Sequence, residues 1–154
     1  MTKRSKKLQI QHLDTKISTF IKLRDTPVPP NGWIRAIRTA LGMSLKQLGN
    51  RLYITKQSAQ NLEKREKEGA VTIKALREAA NAMDMVFVYG FVPKEGSLEK
   101  LIESKAEELA TEIVMRTSNT MRLEDQENSE ARIKQAIKEQ TAMIAAEQPK
   151  ILWE

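Results

Sequence analysis

The chain has 154 residues with 40% apolar content, enough for one compact domain and additional elements. It contains no cysteine, which excludes a disulfide framework, thiolate chemistry and Cys-based metal sites, and its single histidine, His12, has no second imidazole to join it as ligand or base. Net charge is +6 but unevenly spread: residues 1–93 carry 17 Lys/Arg against 7 Asp/Glu and residues 94–154 carry 9 against 13, so a half suited to phosphate backbones adjoins a half that DNA would repel.

The N-terminal stretch MTKRSKKLQIQ is basic but lacks the continuous apolar core of a signal peptide, and no run approaches a membrane span, so a cytoplasmic protein without membrane contact is expected. In residues 1–24, Ile10, Leu13, Ile17, Phe20 and Ile21 recur at helical spacing and predict an amphipathic helix ending near Arg24. Its apolar face calls for cover by the rest of the chain or by a second copy, the alternative being a membrane surface. Lys3, Arg4, Lys6 and Lys7 head it as an arm that either touches phosphate or is solvated. Residues 25–31, DTPVPPN, hold too many prolines for a helix or a central strand and read as a stiff linker.

Gly32-Trp33 opens a domain over residues 32–84, with Trp33 as a packing anchor beneath the linker, the alternative being a base-stacking residue. Ile34, Ile37 and Leu41 mark one helical face, which Gly42 ends. Ser44 suits the N-cap of a second helix carrying Leu45, Leu48 and Leu52, Tyr53-Ile54-Thr55 leaves room for a short turn, and Thr55 caps a third helix beginning at Lys56. That third helix turns only Ala59 and Leu62 inward. Its outer face offers Lys56, Gln57, Ser58, Gln60 and Asn61, and these types matter: Gln and Asn make paired hydrogen bonds to an adenine edge, and Lys reaches guanine acceptors or phosphate. On an isolated helix the same face would merely be solvated.

In its context, the stretch resembles the phage-repressor and Cro type of helix-turn-helix, with Arg38, Leu48, the run Thr55–Asn61, Leu62 and Glu63 at the matching places. The resemblance implies a structural ion pair between Arg38 and Glu63, and base contacts from Lys56, Gln57, Ser58, Gln60 and Asn61. Phosphate contacts are expected from Ser44, Lys46 and Thr55, and from Lys64, Arg65 and Lys67 in a charged loop reaching Gly69 that would otherwise be simply solvated. The chain departs from the pattern at Gly49, where alanine is usual, and at Tyr53, which replaces the turn glycine. If the turn keeps its usual shape, a non-glycine residue there costs about 1 kcal/mol or more.

Thr72 caps a fourth helix, with Ile73, Leu76, Ala79, Ala80 and Met83 closing the core. Residues 85–93 then read as the one convincing strand, with Val86, Val88 and Val92 on one face and Phe87, Tyr89 and Phe91 on the other. No second strand candidate exists to satisfy its amides and carbonyls, so pairing with the same segment of another copy is expected. The resulting homodimer would match palindromic double-stranded operator DNA with half-sites about 34 Å apart. Residues 97–148 predict a helical hairpin: Ser97 caps a stripe from Leu98 to Ile113, the stretch Thr117–Ser129 is polar, and Arg132–Ala146 carries a second stripe. The tail, residues 149–154, places Ile151, Leu152 and Trp153 where they either dock in a groove or form a partner-binding patch. The expected fold is mainly α: a repressor/Cro-like helix-turn-helix bundle with one strand pairing across a dimer and a C-terminal helical extension.

From Pro29 to Pro93 the chain resembles a narrower bacterial family, the mobile mystery protein A proteins, through Gly32-Trp33-Ile34-Arg35, Arg38 with Ala40-Leu41-Gly42-Met43, Glu63 with Glu66 and Gly69, and Val88-Tyr89 through Val92-Pro93; a weaker likeness continues into Leu123–Gln126. Such proteins are typically encoded beside a Fic-domain protein. The resemblance therefore implies the antitoxin and autorepressor of a toxin-antitoxin operon, with a Fic-domain nucleotidyltransferase that transfers AMP as partner of the C-terminal half. Fic inhibitory helices commonly carry Ser or Thr, three residues, Glu, then Gly or Asn; Thr120 and Glu124 fit this, with Asp125 in the last place, and Ser104 to Glu108 gives a second partial match. The other reading of Thr120–Asp125 is a cap between two helices. The competing functions are a stand-alone transcriptional regulator whose C-terminal helices serve oligomerisation, and an enzyme. With no Gly-rich phosphate loop and no metal-ligand spacing, only carboxylates on solvated helix faces remain, so no enzyme, cofactor or metal is expected.

Overall fold

The computed structural model describes residues 2–123 and 130–154. Among them the chain forms seven helices and no strand: α1 (Lys3–Ser18), α2 (Trp33–Ala40), α3 (Leu45–Leu52), α4 (Lys56–Lys67), α5 (Ile73–Ala82), α6 (Leu98–Leu123) and α7 (Glu130–Glu147). The fold is mainly α. It divides into two compact units, one of residues 25–89 and one of residues 1–24 with 90–154.

In the unit of residues 25–89, hydroxyl side chains start three of the four helices. Ser44, Thr55 and Thr72 accept the backbone N–H of Gln47, Ser58 and Ala75 at 3.1, 3.0 and 3.0 Å. Gln47 reciprocates by accepting the Ser44 N–H at 2.8 Å, which completes a capping box. Gly42, at φ +70°, ends the first of these helices: its N–H donates to Thr39 and that of Met43 to Arg38, the paired bonds that close a helix on a left-handed residue. Ile34, Leu48, Ala59, Leu62, Ala79 and Met83 form the core, with Leu48 wholly buried and Ile37, Leu45, Leu52 and Leu76 at its margin. Trp33, expected as an anchor beneath the linker, is 46% exposed and lies outside this core, which its neighbour Ile34 enters.

Two expectations for this unit are corrected. The charged loop predicted from Lys64 is the last turn of α4, because Lys, Arg and Glu are good helix formers and no breaker precedes Gly69. The predicted strand of residues 85–93, comprising Val86, Phe87, Val88, Tyr89, Phe91 and Val92, has no regular secondary structure. Phe87 and Tyr89 do stack, with ring centroids 5.7 Å apart, as alternate side chains on one side of an extended backbone can, and the Arg77 guanidinium lies over the Tyr89 ring. A strand nonetheless exists only as part of a hydrogen-bonded ladder, and no other strand is present among the described residues.

In the other unit, α1 stops at Ser18 rather than near Arg24. The hydroxyls of Ser18 and Thr19 donate back to the Thr15 and Lys16 carbonyls at 2.6 and 2.8 Å, local bonds that compete with helix continuation, and Ile21–Asp25 follows as a 3-10 turn. Asp14 of α1 accepts the Leu98 and Glu99 N–H groups at 2.7 and 3.2 Å and so caps α6 from outside, beside the local cap from Ser97. Ala106 and Ala110 lie one turn apart with no exposed surface, small enough to let α7 come close with Ile144. Leu152, in a 3-10 turn over Lys150–Trp153, joins this cluster, so the tail docks through one residue while Ile151 and Trp153 stay exposed. α6 also runs well past Ile113, since the polar residues beyond it include no glycine or proline. No helix among the described residues is long and apolar enough to cross a membrane.

The units redistribute charge relative to the two sequence halves. The basic N-terminal segment folds with the acidic C-terminal region, giving sixteen Lys/Arg against fourteen Asp/Glu, while residues 25–89 hold ten against six.

Candidate nucleic-acid interface

α3 and α4 are joined by Tyr53-Ile54-Thr55, and the closeness of that connection depends on Gly49. A methyl at Gly49 would stand 2.8 Å from the Ile54 carbonyl oxygen and 3.2 Å from that of Thr55, both backbone atoms. The Ile54 N–H returns to the Gly49 carbonyl at 2.9 Å. Tyr53 ends α3 in the left-handed region at φ +57°, ψ +37°, so the position keeps a glycine-like backbone without glycine.

α4 is tied to α2 at two positions one turn apart. The Arg38 guanidinium meets Glu63 through two bonds, Nε to Oε2 and Nη2 to Oε1, each 2.9 Å, and its Nη1 donates to the Met43 carbonyl at 2.8 Å. The Glu63 side chain is 7% exposed, and its hydrogen bond raises the Arg38 pKa above the ordinary arginine value against the opposing effect of burial. Three residues on, the Glu66 carboxylate accepts the Trp33 and Ile34 N–H groups at 3.0 and 2.8 Å. It thereby caps α2, whose own N-cap position is Gly32 and has no side chain to offer. This role was invisible as a local motif; the signal was a helix start lacking Ser, Thr, Asp or Asn.

These ties set the orientation of the opposite face. Lys56, Gln57, Ser58, Gln60 and Asn61 are all exposed, whereas Ala59, Leu62 and Glu63 are buried. Ser58 is partly committed, since its hydroxyl accepts from the Thr55 hydroxyl at 3.0 Å. Gln57, Gln60 and Asn61 make no side-chain hydrogen bond among the described residues, leaving three amides with donors and acceptors to spend on a ligand. Of the expected phosphate contacts, Lys46 is exposed, Ser44 and Thr55 serve as caps, and Lys64, Arg65 and Lys67 crowd the last turn of α4. Glu68 sits 4.0 Å from Lys64 and shares a shallow groove with Ser58, Asn61, Lys64 and Arg65, so a phosphate approaching Lys64 must compete with a carboxylate.

No family model, curated protein or solved structure matches this chain. Among the described residues no group of three His, Cys, Asp or Glu side chains is placed to hold a metal ion, and His12 is exposed on α1. The Thr120/Glu124 pair lies outside the described residues, Glu124 entirely and Thr120 in its side chain.

Proposed function

We propose that this chain is a sequence-specific DNA-binding antitoxin of the repressor/Cro type, which represses its own operon and neutralises a Fic-domain nucleotidyltransferase in the cytoplasm. One observation carries the DNA-binding reading: an exposed row of uncommitted amides on α4, with that helix fixed to α2 by Glu63 and Glu66 on its opposite side. An α-helix fits the width of the major groove, and Gln and Asn have the donor–acceptor pair that adenine presents there. The Fic partner rests on the resemblance from Pro29 to Pro93, and Thr120 and Glu124 are its candidate inhibitory residues. The segment Met85–Val92, without regular secondary structure and with Val86 83% and Phe91 89% exposed, supports pairing between two copies.

Selection of duplexes from a random pool by the full chain tests the reading. Gln57→Ala or Asn61→Ala is expected to cost about 1–3 kcal/mol on the selected duplex and little on a shuffled one. Equal losses on both would reject base reading by α4. Identifying a Fic motif in the neighbouring open reading frame, and measuring nucleotide transfer by that protein with and without Glu124→Ala, tests the antitoxin role; inhibition that persists undiminished rules out Glu124 as the essential group.

A further inference from the structure

Among the described residues three other than glycine hold left-handed backbone: Tyr53 (φ +57°), Asp84 (φ +56°) and Gln148 (φ +48°). Asp84 is a type that tolerates this region, and its carboxylate meets Arg51 Nη1 at 3.4 Å. Gln148 is half-buried after α7. Tyr53 has neither compensation. Its side chain is 96% exposed and makes no hydrogen bond or ring contact among the described residues. A tyrosine here costs backbone energy that glycine would avoid, and an exposed ring recovers none of it through burial. Strain without return in the fold points to a use outside the fold.

Its place in the chain indicates which use. Tyr53 stands two residues before Thr55, the cap of α4, at the end of that helix where Lys56 and Gln57 begin the exposed amide face. A helix entering a groove by this end brings the preceding residues to the groove's edge, which is lined by deoxyribose and phosphate rather than by bases. A phenol suits that edge, because its ring covers a sugar and its hydroxyl donates to a phosphate oxygen, whereas duplex bases are stacked on one another and closed to it. We infer that Tyr53 is a DNA-backbone contact, its ring against a deoxyribose and its hydroxyl on the adjacent phosphate. The inference rests on the α4 reading above and adds a residue that the base contacts do not include.

The test uses the full chain, the duplex it selects from a random pool, and a shuffled duplex of the same length. Tyr53→Gly is expected to raise the thermal midpoint while weakening both duplexes roughly tenfold, and Tyr53→Phe, which keeps the ring, to weaken both by a smaller factor. If Tyr53→Gly binds as tightly as the wild type while Asn61→Ala still loses the selected duplex, the Tyr53 contact is overturned and the α4 reading stands. A loss confined to the selected duplex would make Tyr53 a base contact and overturn the inference as well. A lowered midpoint for Tyr53→Gly would show that the ring supports the fold, with the same result. A wild-type chain that binds neither duplex overturns both readings.

Discussion

At Gly49 a missing methyl decides how near α3 and α4 approach. Because the atoms it would meet are the Ile54 and Thr55 carbonyls and not the end of a flexible side chain, Gly49→Ala is expected to destabilise by about 1–3 kcal/mol, seen as a lower urea midpoint at unchanged slope. An unchanged midpoint would mean that the Tyr53–Thr55 turn yields freely. Arg38 and Glu63 form the second single-residue dependence. Arg38→Ala strands a buried carboxylate and leaves the Met43 carbonyl without its guanidinium partner, so a loss of about 3–5 kcal/mol is expected in the same measurement. The raised Arg38 pKa fixes the sign of its pH effect: the stabilisation is complete below the ordinary arginine value and is lost only as pH rises through the higher folded value, so deprotonation of Arg38 produces no change across the neutral range. The sequence resemblance pointed to this pair, but Gly49 showed only as a departure from pattern, since nothing in apolar periodicity records a close approach between two backbones.

At the scale of elements, what was legible was what is local. Ser44, Thr55 and Thr72 stand three residues from the amides they cap, and Gly42 adjoins the helix it ends, so a reading along the chain finds all four. The cap of α2 comes instead from a carboxylate on another helix, Glu66, more than thirty residues away, and α6 adds to its local Ser97 cap the carboxylate of Asp14, more than eighty residues away in sequence. The segment 85–93 departs from expectation for the same reason: Phe87 and Tyr89 stack on each other, but a ladder is a relation between two segments and no single run contains it. The two distant caps allow a paired prediction. Asp14→Ala and Glu66→Ala should each destabilise by about 1 kcal/mol, the ordinary worth of a lost cap. Only Glu66→Ala should also weaken the selected duplex at temperatures where both variants are folded, because Glu66 holds α4 and Asp14 holds α6. Equal effects on DNA affinity would show that the link from Glu66 to the amide face is not specific.

At the scale of the whole molecule, the folded units rearrange what the sequence halves suggested. The net positive charge of residues 25–89 comes from only ten Lys/Arg against six Asp/Glu, and Glu68 stands beside Lys64 on the outer side of α4. A single copy with so modest a field gains little from non-specific attraction, so tight operator binding would draw on two copies engaging two half-sites at once, where the second contact is made at a high effective concentration. Among the described residues Met85–Val92 is a run of apolar side chains without regular secondary structure, and Val88 lies at its middle with 64% of its surface exposed. Val88→Pro removes one N–H that a ladder between two copies would use, at a side chain that belongs to neither buried core cluster. If two copies pair through this segment, the expected outcome is a wild-type dimer and a Val88→Pro monomer by light scattering at the same concentration, an unchanged thermal midpoint when extrapolated to low concentration, and affinity for a palindromic duplex reduced to that for one half-site. A Val88→Pro chain that remains dimeric and still prefers the palindrome would place the subunit contact elsewhere, and the apolar residues of 85–93 would then need another explanation.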